Sequence, residues 1–299
     1  MNITMLGTGN AMVTECYNTC FVLQDGDKHL LVDGGGGNTL LRQLKQAGFA
    51  WQDIREIFVT HKHVDHLMGI VWMIRMICQH MKQGQYEGEA WIYGHDEVIG
   101  LLGEMAEQLY PKKLTDFIGK RLHLVVVNDG EERTLMGHKV TFFDIQSTKA
   151  KQYGFCMDMG NGEKLTCCGD EPYNECEKKY AENSKWLLHE AFCLYDQADE
   201  FHPYEKHHST AKDASELAEL LGVKNLILII PRIKILHVVN NYIQKKDGSI
   251  STAICMCRKT SKRLNYNGFY VIVFLITVQQ KALHSYYDYY RKKVKLWLN

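Results

Sequence analysis

The stretch His61-Lys62-His63-Val64-Asp65-His66 decides how this chain is interpreted. It places four side chains that can bind a metal within six residues, directly after an apolar segment typical of a buried strand. Imidazole and carboxylate groups suit zinc and similar divalent ions. Residues two apart in a loop can turn to the same side, so His61 and His63 can share one ion. Asp65 and His66 can then face a second ion, and the alternative is a solvated histidine-rich loop.

The rest of the chain up to about residue 230 alternates short strands with amphipathic helices, and the strands come in hairpin groups. We expect strands at 2–6, 19–23, 29–32, 57–60, 90–93, 122–127, 139–145, 164–168, 186–189 and 225–230, and helices at 38–47, 67–81 and 211–221. This order favours two packed sheets with helices outside, an αββα two-sheet sandwich of the α/β (α+β) class.

Charge divides the chain near residue 230, although the formal net charge is zero. Residues 1–230 hold 33 acidic and 22 basic residues, whereas residues 231–299 hold 2 acidic and 13 basic ones. The sequence thus predicts an acidic body, 1–230, and an atypical basic tail, 231–299. An acidic body offers no electrostatic attraction to a nucleic acid backbone.

The N-terminal sequence, the cysteines and the apolar segments indicate the cellular compartment of the protein. The N-terminus shows no basic stretch followed by an apolar run, and the ten cysteines are scattered, so we expect a cytoplasmic protein with reduced thiols. The longest apolar run, residues 269–278, has ten residues, whereas a membrane-spanning helix needs about 20. We therefore expect no membrane partner.

The motif of the first paragraph resembles the His-x-His-x-Asp-His signature of the metallo-β-lactamase superfamily. Further motifs resemble its ribonuclease Z branch: Met5-Leu6-Gly7-Thr8-Gly9, Leu31-Val32-Asp33-Gly34-Gly35, Gly169-Asp170, Leu188-His189-Glu190-Ala191 and His208-Ser209-Thr210-Ala211. The resemblance covers about residues 1–230 and implies a metallo-β-lactamase-like hydrolase domain there.

The resemblance also implies a metal-ligand set. His61 and His63 would bind the first ion, Asp65 and His66 would bind the second, and Asp170 would bridge both. The cofactors would then be two divalent ions, with Zn²⁺ expected and Mn²⁺ or Fe²⁺ as alternatives.

Catalytic roles follow from the same resemblance. Asp65 would also act as general base on the water, and His208, supported by Glu190, would donate a proton to the leaving group. Asp33 would brace the loop through hydrogen bonds rather than bind metal, and His207 would be a bystander.

The chain departs from the family pattern at two positions. The family places a histidine after the strand at 139–145, where this chain has Gln146, whose amide oxygen would be a weaker ligand. The family places a final histidine after the strand at 225–230. Here Ile230 and Pro231 follow, and the next histidine is His237.

We hypothesise that the second loss is a reading-frame error. Residues 229–236 can be encoded so that one restored T changes them to Tyr-His-Thr-Glu-Asp-Lys-Asn-Ile, which returns a histidine at position 230. A shifted frame would also explain why acidic residues vanish there. The alternative is a genuine basic tail that binds an acidic partner or a membrane surface.

The function that these residues favour is a metal-dependent phosphodiesterase resembling ribonuclease Z, acting through a metal-activated water on a small-molecule or RNA substrate. The acidic body and the short stretch from 155 to 170 argue against gripping tRNA. One alternative is a hydrolase of a cyclic nucleotide, lactone or thioester on the same fold. Another is a non-catalytic product that lacks the final ligand. Family members are often dimers, so the resemblance also makes a homodimer an expectation to test.

Overall fold

The structure is a computed structural model, which describes residues 1–14, 16–229, 263–266 and 269–272. Its strands form a six-stranded sheet in the order β1-β2-β3-β4-β5-β6 and an eight-stranded sheet in the order β13-β14-β12-β11-β10-β9-β8-β7. The strands are β1 Asn2–Gly7, β2 Cys20–Asp25, β3 Lys28–Val32, β4 Glu56–Phe58, β5 Ala90–Gly94, β6 Leu122–Val126, β7 Glu132–Leu135, β8 His138–Asp144, β9 Tyr153–Gly160, β10 Glu163–Cys167, β11 Trp186–Glu190, β12 Asn225–Ile229, β13 Arg263–Tyr266 and β14 Phe269–Ile272.

Helices cover the outer face of each sheet. They are α1 Thr39–Ala47, α2 Val64–Lys82, α3 Asp96–Leu109, α4 Lys112–Thr115, α5 Lys178–Ala181, α6 Ala198–Phe201 and α7 Ala211–Leu220, with short 3₁₀ turns between them. One apolar core joins α1, α2 and α3 to the first sheet, and another joins α5 and α7 to the second. The predicted αββα sandwich is therefore confirmed.

A third apolar core lies between the two sheets. In β4 the neighbouring residues Ile57 and Phe58 point to opposite faces, so that Ile57 joins the helix-side core and Phe58 the core between the sheets. Phe58 meets Phe142 and Phe155 of the opposite sheet at ring-centroid distances of 5.0 and 5.6 Å. Because both faces are covered, these strands are nearly continuous apolar runs.

Several elements differ from the sequence-based expectation. α2 begins at Val64, not at residue 67, so Asp65 and His66 lie in its first turn and not in a loop. α3, β7 and β9 were not predicted. Each of α3 and β9 contains two glycines, which weaken local propensity, and β9 is held by pairing with β8 and β10.

The predicted boundary at residue 230 coincides with the end of the continuously described chain. β12 ends at Ile229, and residues 230–262 lie outside the described residues. Within the tail, β14 pairs with β12 in parallel and with β13 in antiparallel orientation. The division into a body and a basic tail stays a prediction. In the part of the chain that the structure describes, no helix combines the length and apolar character needed to cross a membrane.

Candidate metal centre

The centre forms where neighbouring parallel strands end. β3 and β4 run in parallel, as do β10 and β11, so the residues that follow them meet at the same edges of the two sheets. A tight contact fixes α2 against the loop after β3, because Gly34 N donates to His66 O at 2.7 Å and Gly69 N donates to Gly35 O at 2.9 Å. A Cβ on Gly69 would lie 1.8 Å from Gly34 O, so only glycine permits this approach. The start of α2 is thereby fixed.

The first candidate ligand set is His61, His63 and Asp170. Their ligand atoms all lie within 4.8 Å of one another. His61 Nε2 lies 2.8 Å from His63 Nδ1 and 3.8 Å from Asp170 Oδ2. His61 is fully buried, and this burial lowers the pKa of its imidazole, which favours the neutral form that binds metals.

A second candidate set shares Asp170. His66 Nε2 lies 3.2 Å from Asp170 Oδ2 and 3.6 Å from Asp65 Oδ2. This nitrogen is buried and has no hydrogen-bond partner among the described residues. A buried nitrogen of this kind is costly unless something binds it. Together with the carboxylates around it, the nitrogen fits a divalent ion, and Asp170 Oδ2 lies between the two histidine groups.

Asp33 forms the hydrogen bonds that the resemblance led us to expect of a residue that braces the loop. Its Oδ1 accepts a hydrogen bond from Thr60 N at 2.8 Å, and its Oδ2 accepts one from Thr60 Oγ1 at 2.8 Å. Oδ2 also lies 2.7 Å from His66 Nδ1. A carboxylate on Nδ1 fixes the tautomer that presents Nε2 as the metal-binding atom.

Electrostatics of the cluster favour an ionised Asp170 carboxylate. Burial opposes ionisation of Asp170, but its close contact with His66 and the neighbouring imidazoles of His61 and His208 hold its pKa well below the usual range.

His208 and Glu190 form a pair, the last residue of β11 being Glu190. His208 Nδ1 lies 3.2 Å from Glu190 Oε2, and Ser209 N donates to Glu190 Oε1 at 2.5 Å. The His208 ring stacks on Phe192 at 4.8 Å with an interplanar angle of 5°. Glu190 is fully buried, so the imidazole is held in one orientation by a carboxylate and an aromatic face.

Gln146 stands apart from these residues. Its side chain is exposed, its φ is +57°, and its backbone N–H donates to Asp144 Oδ1 at 2.8 Å. The structure therefore lends no support to Gln146 as a ligand, and that role stays a prediction.

Gln152, which sequence reasoning missed, is the glutamine that meets the centre. It is buried, it forms an antiparallel bridge with His61, and its Oε1 accepts a hydrogen bond from Asp170 N at 2.6 Å. No local sequence pattern identifies Gln152 as part of the centre, because its partners His61 and Asp170 lie 91 and 18 positions away along the chain.

Comparison with known proteins assigns the family. A family model described as Anti-Pycsar protein Apyc1 matches residues 1–216, more than half of the chain. The chain belongs to this family.

Relatives and solved structures agree with the fold. Ribonuclease Z of Prochlorococcus marinus strain AS9601 is 23% identical over 284 residues, which cover 76% of this chain and 87% of the relative. The short form of human tRNase Z has a TM-score of 0.61 and 22% identity, covering 77% of this chain and 92% of that chain. The metallo-β-lactamase fold protein YhfI of Bacillus subtilis has a TM-score of 0.63 and 20% identity, covering 80% and 90%. The predictions of a metallo-β-lactamase fold and of a metal-dependent hydrolase resembling ribonuclease Z are confirmed.

Proposed function

We propose that this protein hydrolyses a small phosphodiester, with a cyclic nucleotide as the substrate class. One observation carries the proposal: Asp170 Oδ2 lies 3.8 Å from His61 Nε2 and 3.2 Å from His66 Nε2, so one carboxylate is shared by two candidate ligand sets. An in-line displacement at phosphorus needs stabilisation of the attacking and the leaving oxygen, and paired ions supply both. Zn²⁺ suits these ligands best, and Mn²⁺ or Fe²⁺ are the alternatives to test.

The candidate ligands would form two metal sites. His61, His63 and Asp170 would hold one ion, and Asp65, His66 and Asp170 the other. Bound divalent ions would lower the pKa of a water molecule and polarise the phosphoryl group.

Proton transfers would fall to the chain's own side chains. Asp65 would accept the proton of the attacking water at a carboxylate oxygen. His208 would donate a proton to the leaving oxygen from Nε2, while Glu190 keeps the ring oriented through Nδ1.

A small substrate is favoured over tRNA by two features of this chain. Residues 1–230 carry a net charge of −11, which repels a polyanion. β9 and β10 form a hairpin with only Asn161 and Gly162 between them, so no protruding arm for gripping RNA arises there. The ribonuclease Z relatives favour the competing RNA substrate. A cytoplasmic location and a homodimer remain predictions.

The test compares 3′,5′-cyclic nucleotides with a structured RNA, using zinc-loaded wild type and Asp65→Ala. We expect cyclic nucleotides to be hydrolysed with the higher kcat/KM, and Asp65→Ala to lose at least about 100-fold in kcat. A chelator should abolish the activity, and adding back Zn²⁺, Mn²⁺ or Fe²⁺ should identify the metal that restores it.

Two outcomes would contradict the proposal. Faster cleavage of RNA would overturn the substrate class. Equal rates for wild type and Asp65→Ala, with both proteins folded by circular dichroism, would overturn the mechanism.

A further inference from the structure

The loop between β8 and β9 is anchored to the residues beside the metal centre. Glu171, which follows Asp170 and is buried, accepts hydrogen bonds from Ser147 Oγ at 2.8 Å and from Thr148 N at 3.2 Å. At the far end of the loop, Gln152 Oε1 holds Asp170 N. The loop therefore has a fixed position relative to the bridging carboxylate.

Lys149 projects from this loop to His208. Its Nζ donates to His208 Nε2 at 3.3 Å and to His207 O at 3.3 Å. Because Glu190 occupies Nδ1 of His208, Nε2 is the ring nitrogen that remains for other partners. The ammonium group of Lys149 thus lies beside the atom to which we assign proton donation.

Lys149 differs from the neighbouring lysines in its partners. Lys62 pairs with Glu97 at 2.7 Å, and Lys151 pairs with Asp96 at 2.6 Å. Among the described residues, no carboxylate forms an ion pair with Lys149. Its positive charge is therefore not neutralised by an ion pair, although it lies in an acidic body and beside His208.

We propose that Lys149 binds a non-bridging oxygen of the scissile phosphate, an inference that rests on the proposed phosphodiester hydrolysis. A phosphate oxygen is a stronger acceptor for an ammonium group than an imidazole nitrogen or a carbonyl oxygen. On substrate binding, the ammonium exchanges His208 Nε2, which accepts its hydrogen bond, for the phosphate oxygen. Nε2 is then free to take up a proton from solvent and to donate it to the leaving oxygen. The charge of the ammonium group also offsets part of the repulsion between an anionic substrate and the acidic body.

The experiment uses the zinc-loaded full chain and two readouts. Inorganic phosphate is titrated by calorimetry, and kcat and KM are measured with a cyclic nucleotide. Lys149→Met and Lys149→Gln remove the charge, Lys149→Arg keeps it, and Lys113→Met removes one charge from an exposed lysine of α4. Metal content and Tm are recorded for every variant.

We expect both neutral variants to weaken phosphate binding at least about tenfold and to raise KM, whereas Lys149→Arg retains most of the affinity. Lys113→Met should behave as wild type. Phosphate affinity in the neutral variants equal to that of Lys113→Met, or no phosphate binding by wild type, would overturn the inference. If wild type hydrolyses no phosphodiester but phosphate binding still depends on Lys149, the proposed function fails and the phosphate site stands.

Discussion

Asp33 Oδ2 lies 2.7 Å from His66 Nδ1, and the same carboxylate holds the backbone and the hydroxyl of Thr60. One side chain thus joins the end of β3, the loop after β4 and the first turn of α2. Position 33 has a φ of +59°, a region that asparagine and aspartate tolerate better than other side chains. The aspartate is buried, with 4% of its surface exposed, so the contact is shielded from water.

Asp33→Asn should weaken metal binding without unfolding the protein. Asparagine fits the backbone at this position but removes the negative charge that orients His66. Loss of such a partner typically costs about 10- to 100-fold in metal affinity. The measurement is zinc affinity by competition with a chromophoric chelator, and Asp158→Asn, at an exposed position of β9, is the matched control. Affinity equal to that of the control would show that Asp33 does not tune the centre.

Glu190→Gln should lower kcat while leaving metal content unchanged. The amide keeps the shape of the side chain but removes the charge that stabilises the His208 imidazolium, so proton donation suffers. General acid catalysis contributes about 10²- to 10⁴-fold, and we expect a loss in the lower half of that range. His202→Asn, at an exposed histidine with a φ of +48°, is the control. A rise in KM at constant kcat would assign Glu190 to substrate binding instead.

Glu177 should make the protein less stable as pH rises. Burial raises the pKa of its carboxyl to about 8, against hydrogen bonds from Asn174 and Cys168 that lower it. The folded state holds this proton more tightly than the unfolded state, whose pKa is about 4.5. Its contribution to stability is therefore fully present below pH 4.5 and is lost as pH rises towards 8.

Glu177→Gln tests this pH dependence. Relative to wild type, the variant should gain free energy of unfolding between pH 5 and 8, by on the order of a few kcal/mol. Urea unfolding at each pH measures the difference, and Glu175→Gln, an exposed position in the same 3₁₀ turn, serves as control. A difference that does not vary with pH would show that Glu177 is ionised in the folded protein.

The reading-frame hypothesis concerns the chain after β12. Ile229, the last residue of β12, pairs with Glu190, so this strand ends at the edge that carries the candidate site. Sequencing the gene across codons 226–232 should reveal one lost base, and the corrected protein should bind zinc more tightly. An unbroken reading with no lost base would leave the tail, 231–299, as a genuine basic segment.

The sequence alone determined the fold and the local half of the centre. His61, His63, Asp65 and His66 span six residues at the junction of a strand and a helix, so their proximity needs no distant contact. Motif order likewise indicated Asp170, Glu190 and His208 through resemblance. The grouping of the strands in hairpins, with helices between them, favoured the two-sheet arrangement before any coordinates.

Only the tertiary structure decided how the distant parts meet. Asp170 lies between His61 and His66 because the second sheet packs against the first, and no spacing along the chain encodes that distance. The order of strands within the second sheet brings Lys149 to His208, 59 positions away, and Gln152 to Asp170, while Gln146 stays exposed. Local residue patterns determine the secondary structure and which face of each helix or strand is buried. The contact between two loops depends instead on the path of the whole chain between them.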